Sequence, residues 1–171
     1  MLTVSEMTAQ MTRQAAYIRA LVEDVSDEQA RWKPDADSWS ILEVINHLYD
    51  EEREDFRVRL DLLLHRPSEV APPIDPQGWV TARDYNRRDL AESLSNFLGE
   101  RQRSLDWLRG LDAPDFAAEV VMPWGATYHP GDMAAAWVSH DLLHLRQLVE
   151  LHWAWTQRTV VPYQSDYAGA W

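Results

Sequence analysis

Apolar side chains recur at helical spacing in four long stretches of this chain, and that repetition leaves few folds open. In the first stretch Val4, Met7, Met11, Ala15, Ile18 and Val22 define one face of a helix expected from about Val4 to Asp24. In the second, Ile41, Ile45, Leu48, Tyr49, Phe56, Leu60 and Leu63 do the same, and Ser40 with Glu43 forms a capping box ahead of a helix reaching about Leu64. The third, about Asp84 to Arg109, aligns Leu90, Leu94, Phe97, Leu98, Leu105 and Leu108 and ends near Gly110. The fourth opens near Pro130-Gly131-Asp132 and carries Met133, Trp137, Leu148, Leu151 and Trp155 on one face.

No segment alternates convincingly with strand period. The expected fold is therefore all-α: an antiparallel four-helix bundle in a single domain, residues 1–171. Two long crossover connections join its helices, one over 66–79 with Pro67, Pro72, Pro73, Pro76 and Gly78, the other over 112–129 with Pro114, Pro123 and Gly125. Ser26 and Gln29 open a short turn after the first helix, and Pro34-Asp35-Ala36-Asp37 breaks the chain. The tail after Thr156 holds Tyr163, Tyr167 and Trp171, and so many aromatics are expected to dock.

Charge narrows the function classes. With 16 basic and 28 acidic side chains the formal charge is −12, which argues against a nucleic-acid or anionic-membrane partner. The N-terminal residues carry no secretory pattern and no apolar run approaches ~20 residues, so a soluble cytoplasmic protein is expected. There is no cysteine. A metal, if bound, must take His, Asp or Glu, and a thiol nucleophile must come from a cosubstrate.

The fourth helix carries His140 and His144, one turn apart and ~40° apart around the axis, near the centre of its apolar stripe. Such a pair can share a metal ion through its ring nitrogens, or be two core histidines satisfied by carbonyls and carboxylates; the spacing alone leaves both open. His47 in the second helix is the leading third ligand. It sits at the edge of its stripe, between Val44 and Val58 on one side and Glu43 and Glu54 on the other, so an ordinary partly exposed histidine is the competing reading. His65, His129 and His152 fit less well by position. Three histidines from two helices would leave an open coordination position, the pattern of a catalytic zinc rather than a structural one.

Two charges stand on apolar faces: Glu52 among Ile45, Leu48 and Phe56, and Arg101 among Leu94, Leu98, Leu105 and Leu108. A buried unpaired charge is costly, so the two are expected to pair; the alternative is that Arg101 holds an anionic substrate. Gln147, one turn past His144, is placed to touch a ligand or steady an imidazole. Asp141 and Glu51 are placed to orient imidazoles, with solvated helix charges as the competing reading.

The segment Trp39-Ser40-Ile41-Leu42-Glu43-Val44-Ile45-Asn46-His47-Leu48, then Glu52, Arg101 and His140-Asp141-Leu142-Leu143-His144-Leu145-Arg146-Gln147, resembles the DinB/YfiT-like superfamily of candidate metalloenzymes, on its DinB-2 branch. The resemblance covers nearly the whole chain and includes the Tyr-Ala-Gly-Ala-Trp ending. It implies a four-helix bundle, often a homodimer, with His47, His140 and His144 as metal ligands. It also implies an enzyme acting on a small molecule, most naturally a transferase using a low-molecular-weight thiol, since relatives include glutathione-, bacillithiol- and mycothiol-dependent enzymes. A metal-dependent hydrolase is the alternative, with Glu51 or Asp50 as base, and a non-catalytic binding bundle is a third. Imidazole ligands suit Zn, Ni or Fe and suit Mn less selectively, with zinc or nickel favoured.

Overall fold

The structure, a computed structural model, describes residues 3–122 and 124–169. Pro123 in the second connection and Trp171 in the tail, both named above, lie outside the described residues.

Four helical rods form the bundle, and the first three start at a residue whose side chain accepts from a free backbone N–H group, while the fourth has no such side-chain cap. Helix α1 (Val4–Val22) begins with a capping box between Thr3 and Glu6. The short α2 (Asp27–Arg31) is capped by Ser26, whose side chain accepts from Gln29 N. The second rod is α3 (Ile41–Asp50), a π-helical segment (Glu51–Phe56) and α4 (Arg57–His65), opened by the expected Ser40–Glu43 box. Helix α6 (Leu90–Arg109) is capped by Asp89, and the 30-residue α7 (Pro130–Thr159) has proline in its first turn.

The details depart from expectation in five places. The second rod is not a uniform α-helix but changes to π winding at Glu51–Phe56. The third starts at Leu90 instead of Asp84, because Asp84 adopts a left-handed φ of 50° and a single 3-10 turn, Tyr85–Arg87, follows it. The first crossover contains a helix, α5 (Pro76–Ala82), begun by Asp75 accepting from Gly78 N with proline in the first turn. The second crossover contains a two-stranded antiparallel hairpin, β1 (Val120–Val121) with β2 (Thr127–Tyr128), too short for any periodicity to reveal. The tail does not dock through its tyrosines: Tyr163 is 81% exposed and Tyr167 fully so.

Core composition gives the helix directions. One apolar cluster joins Met7 and Met11 of α1 to Phe56 and Leu60, to Leu105 and Leu108 of α6, and to Ala134, Trp137 and Val138 of α7. The other joins Ile18 and Val22 to Ile41, Val44, Ile45 and Leu48, to Leu94 and Phe97, and to Leu148 and Leu151. The first and last rods therefore run one way and the middle two the other. Rods α3–α4 and α6 are parallel neighbours, so the chain must travel back along the bundle between them, which is what the long first crossover does.

A polar layer separates the two clusters. Arg101, 2% exposed, donates to Glu52 Oε1 from Nε (2.9 Å) and Nη2 (2.6 Å), to both oxygens of Asp141 (2.6 and 2.8 Å) and to Met11 O (3.2 Å). Trp137 Nε1 adds a bond to Glu52 Oε1 at 2.8 Å. The pair expected between Glu52 and Arg101 is present, with Asp141 as a third member. Burial alone would lower the Arg101 pKa, but the carboxylates of Glu52 and Asp141 raise it above the ordinary value.

Candidate metal centre

His47, His140 and His144 converge at the side of the bundle where α3 faces α7. His140 Nε2 lies 3.3 Å from His47 Nε2 and 3.1 Å from His144 Nε2. One ligand atom from each of the three falls within 4.8 Å of the others. The exposures reverse what the helical wheels suggest. His47, placed at the edge of its stripe, is only 4% exposed, while His140 and His144, placed at the stripe centre, are half-buried. Residues 41–48 of α3 are buried on every side, because α2, α5 and the Tyr85–Arg87 turn pack around the helix as well as α6 and α7. Along α7 the face turned to the core is set by Trp137, Asp141 and Leu148, and the histidine pair flanks that face along a cleft.

The three imidazoles are held neutral. Burial first, then the neighbouring His144 and His140, takes the His47 pKa down to about 2. Burial, His144 and Arg101 take His140 to about 3. His144 is also lowered by burial, although its bond to Gln147 works the other way. Neutral rings keep a free lone pair at one nitrogen. In His144 the Nδ1–H donates to Gln147 Oε1 at 2.8 Å, which leaves Nε2 as the acceptor. Three neutral Nε2 atoms aimed at one another cannot all satisfy each other by hydrogen bonding, whereas a cation among them would take every lone pair. The donor set therefore fits a divalent metal, by the chemistry of its atoms and by their convergence.

Around the cluster, Trp39 lies against His47 (ring centroids 4.8 Å) and stacks parallel to His144 (6.2 Å), and Phe56 packs on His140 at 5.0 Å. A cleft of about 940 Å³ opens over the histidines, walled by Trp39, Pro76, Leu143, Leu151 and Trp153, with Gln77, Arg146 and Glu150 among its polar residues.

The other candidates separate. Gln147 touches His144 and borders the cleft. Glu51 also borders it, buried, with Oε1 3.9 Å from His47 Nδ1; burial, reinforced by the Asp55 carboxylate, pushes its carboxyl pKa up. It is not a solvated helix charge. Asp141 orients no imidazole: 100° around the helix from His140, it points into the core and binds Arg101. Arg101 is spent on Glu52, Asp141 and a backbone carbonyl, which leaves its guanidinium committed to the core instead of to an anionic ligand. Asp50, proposed beside Glu51 as a base, is fully buried and accepts from Tyr85, Arg53 and Arg83 (2.5, 2.9 and 2.5 Å) away from the cleft lining. Sequence reasoning did not single out Trp39 as a cover for the imidazoles. Its place just ahead of the Ser40 cap, which fixes the entry of α3, was the available signal.

These features agree with the comparisons. A candidate metal-dependent hydrolase of Oceanobacillus iheyensis, OB0782, is 27% identical over 135 residues, 78% of this chain and 77% of that protein. The structure of YfiT from Bacillus subtilis, described as a probable metal-dependent hydrolase with an unusual four-helix bundle topology, superposes with a TM-score of 0.76. It is 20% identical and covers 90% of this chain and 87% of its own, a likeness of fold. Among the described residues no helix is long and apolar enough to cross a membrane. The DinB superfamily model matches residues 10–148, most of the bundle and all three histidines, and the chain belongs to the DinB superfamily.

Proposed function

We propose that this chain is a metal-dependent hydrolase of a small molecule, with one divalent ion, zinc or nickel by preference, held by Nε2 of His47, His140 and His144. The observation that carries the reading is the convergence of three neutral imidazoles at an open cleft. A closed structural site would spend its ligands on a full coordination shell, while three protein ligands leave room for substrate. A cation bound there supplies Lewis acidity, polarising a carbonyl or phosphoryl oxygen and acidifying water. The chain's own residues do the rest. Gln147 fixes the His144 tautomer, Trp39 and Phe56 limit water around the rings, and the cleft walls admit and orient the substrate. The names of the relatives favour hydrolysis; the thiol-dependent transferase expected from the sequence draws no support from them.

Elemental analysis of untagged protein tests this directly, with about one ion per chain expected and none in the triple His→Ala variant. Added Zn²⁺ or Ni²⁺ at a thousand times its dissociation constant should stabilise the fold by about 4 kcal/mol. A folded protein that takes up no ion and gains no stability refutes the proposal. A panel of esters, amides and phosphoesters then seeks the substrate, and electrophile consumption that requires an added thiol would return the transferase.

A further inference from the structure

Two buried polar atoms near the histidine cluster have no hydrogen-bond partner, His47 Nδ1 and Glu51 Oε1, and they are 3.9 Å apart. One is a potential donor and the other an acceptor. We infer that Glu51 is the positioning residue of the centre: its Oε1 accepts the Nδ1 proton of His47 and keeps Nε2 of that ring turned toward the ion. The inference rests on the metal-binding reading above and deepens it.

Tautomer logic supplies the first argument. A neutral imidazole that offers Nε2 to a metal must carry its proton on Nδ1, and a buried N–H needs an acceptor. Glu51 Oε1 is the facing unmatched atom, and closing to a hydrogen bond of about 2.9 Å needs only ~1 Å of side-chain movement. Comparison within the site supplies the second. His144 already has its Nδ1 held by a residue of its own helix, Gln147, three positions on. Glu51 stands four positions after His47, in the equivalent place. The third argument is that Glu51 is itself held. Asp55, four residues further, lies against it, and Arg59, four beyond that, pairs with Asp55 and donates to Pro72 O at 3.2 Å. The series 47, 51, 55, 59 runs from the cleft lining through the π segment into α4, where Arg59 ties it to Pro72 of the first crossover. Metal-bound histidines commonly donate their second N–H to such a carboxylate, and its loss costs 10–100-fold in affinity.

The experiment titrates Zn²⁺ against a competing chelator in the wild type, Glu51→Gln and Glu51→Ala. The alanine variant should bind about 10–100-fold more weakly, while the glutamine variant, whose amide oxygen accepts the same proton, should stay within about threefold of wild type. Long-range ¹⁵N–¹H NMR of the loaded wild type should find the His47 proton on Nδ1. Thermal melts of the metal-free variants establish that they fold, and Glu51→Met replaces the alanine variant should that one unfold. Affinity in the alanine or methionine variant within about twofold of wild type overturns the inference, as does a glutamine variant as weak as alanine, or a His47 proton on Nε2. Loss of hydrolysis in both variants with affinity unchanged also overturns it, and makes Glu51 a general base. A wild type that binds no Zn²⁺ is distinguishable from all of these, because it removes the metal-binding reading itself.

Discussion

Replacing Arg101 with methionine isolates the contribution of the buried polar layer. The substitution keeps a long side chain but removes the five hydrogen bonds that Arg101 makes to Glu52, Asp141 and Met11 O. Two carboxylates then remain in a site where each is at most 2% exposed. Removing one partner of such a buried set costs about 3–5 kcal/mol. The cost has a ceiling, because a carboxylate denied its partner can take up a proton instead. At pH 7, protonating one carboxyl of ordinary pKa ~4 costs about 4 kcal/mol. One protonation therefore accounts for the expected loss, and Trp137 Nε1 remains to satisfy Glu52. For a chain of this length about 4 kcal/mol lowers the Tm by roughly 8–16 °C.

The pH dependence gives the sharper check. In the variant the folded carboxyl pKa is raised, so the folded state binds more protons than the unfolded between about pH 4 and that raised value. Variant stability must then fall as pH rises through this window. The deficit relative to wild type should shrink on acidification by about 1.4 kcal/mol per pH unit, or nearly 3 kcal/mol from pH 7 to pH 5. Urea denaturation of both proteins at the two pH values measures it. A deficit below about 1 kcal/mol, or one equal at both pH values, would refute the reasoning that Arg101 neutralises buried carboxylates.

Other perturbations follow from local geometry. Ser40→Ala should cost about 2 kcal/mol by urea denaturation, the upper end for a helix cap, because the fully buried Ser40 both accepts from Glu43 N and donates to Asn86 Oδ1 (2.8 Å). Gly131→Ala should lower stability by about 1–3 kcal/mol, since a Cβ there would sit 2.7 Å from the carbonyl oxygen of Phe116, which also accepts from Gly131 N; an unchanged Tm would show that the loop before β1 yields freely. Gln147→Leu should weaken Zn²⁺ affinity at least about tenfold in a chelator competition by releasing the His144 tautomer, with little change in the metal-free melt.

Particular residues show how far the chain could be read in advance. The four rods were legible because their apolar positions repeat at helical period, and the Ser40–Glu43 box marked the start of α3 to the residue. Glu52 and Arg101 announced their pairing by standing on apolar faces, since neither could be buried alone. The place of Asp141 beside two histidines invites the reading that it orients an imidazole; only the direction of the α7 face sends it to Arg101. The π segment carries no proline or glycine to flag it, and α5 hid in a stretch rich in proline whose Asp75-Pro76 start resembles any turn.

What the sequence by itself determined is the set of local choices: which stretches are helices, where several of them begin, which histidines share a turn, and that any metal must be held without cysteine. Periodicity and capping act within a few residues, so they can be read from the chain alone. Only the tertiary structure decided how wet each histidine is. A wheel sees one helix, and burial depends on everything packed around it. Because α2, α5 and a single turn cover the outer side of α3, His47 is the most buried of the three. Because α7 presents Trp137, Asp141 and Leu148 to the core, His140 and His144 are left at the wall of an open cleft.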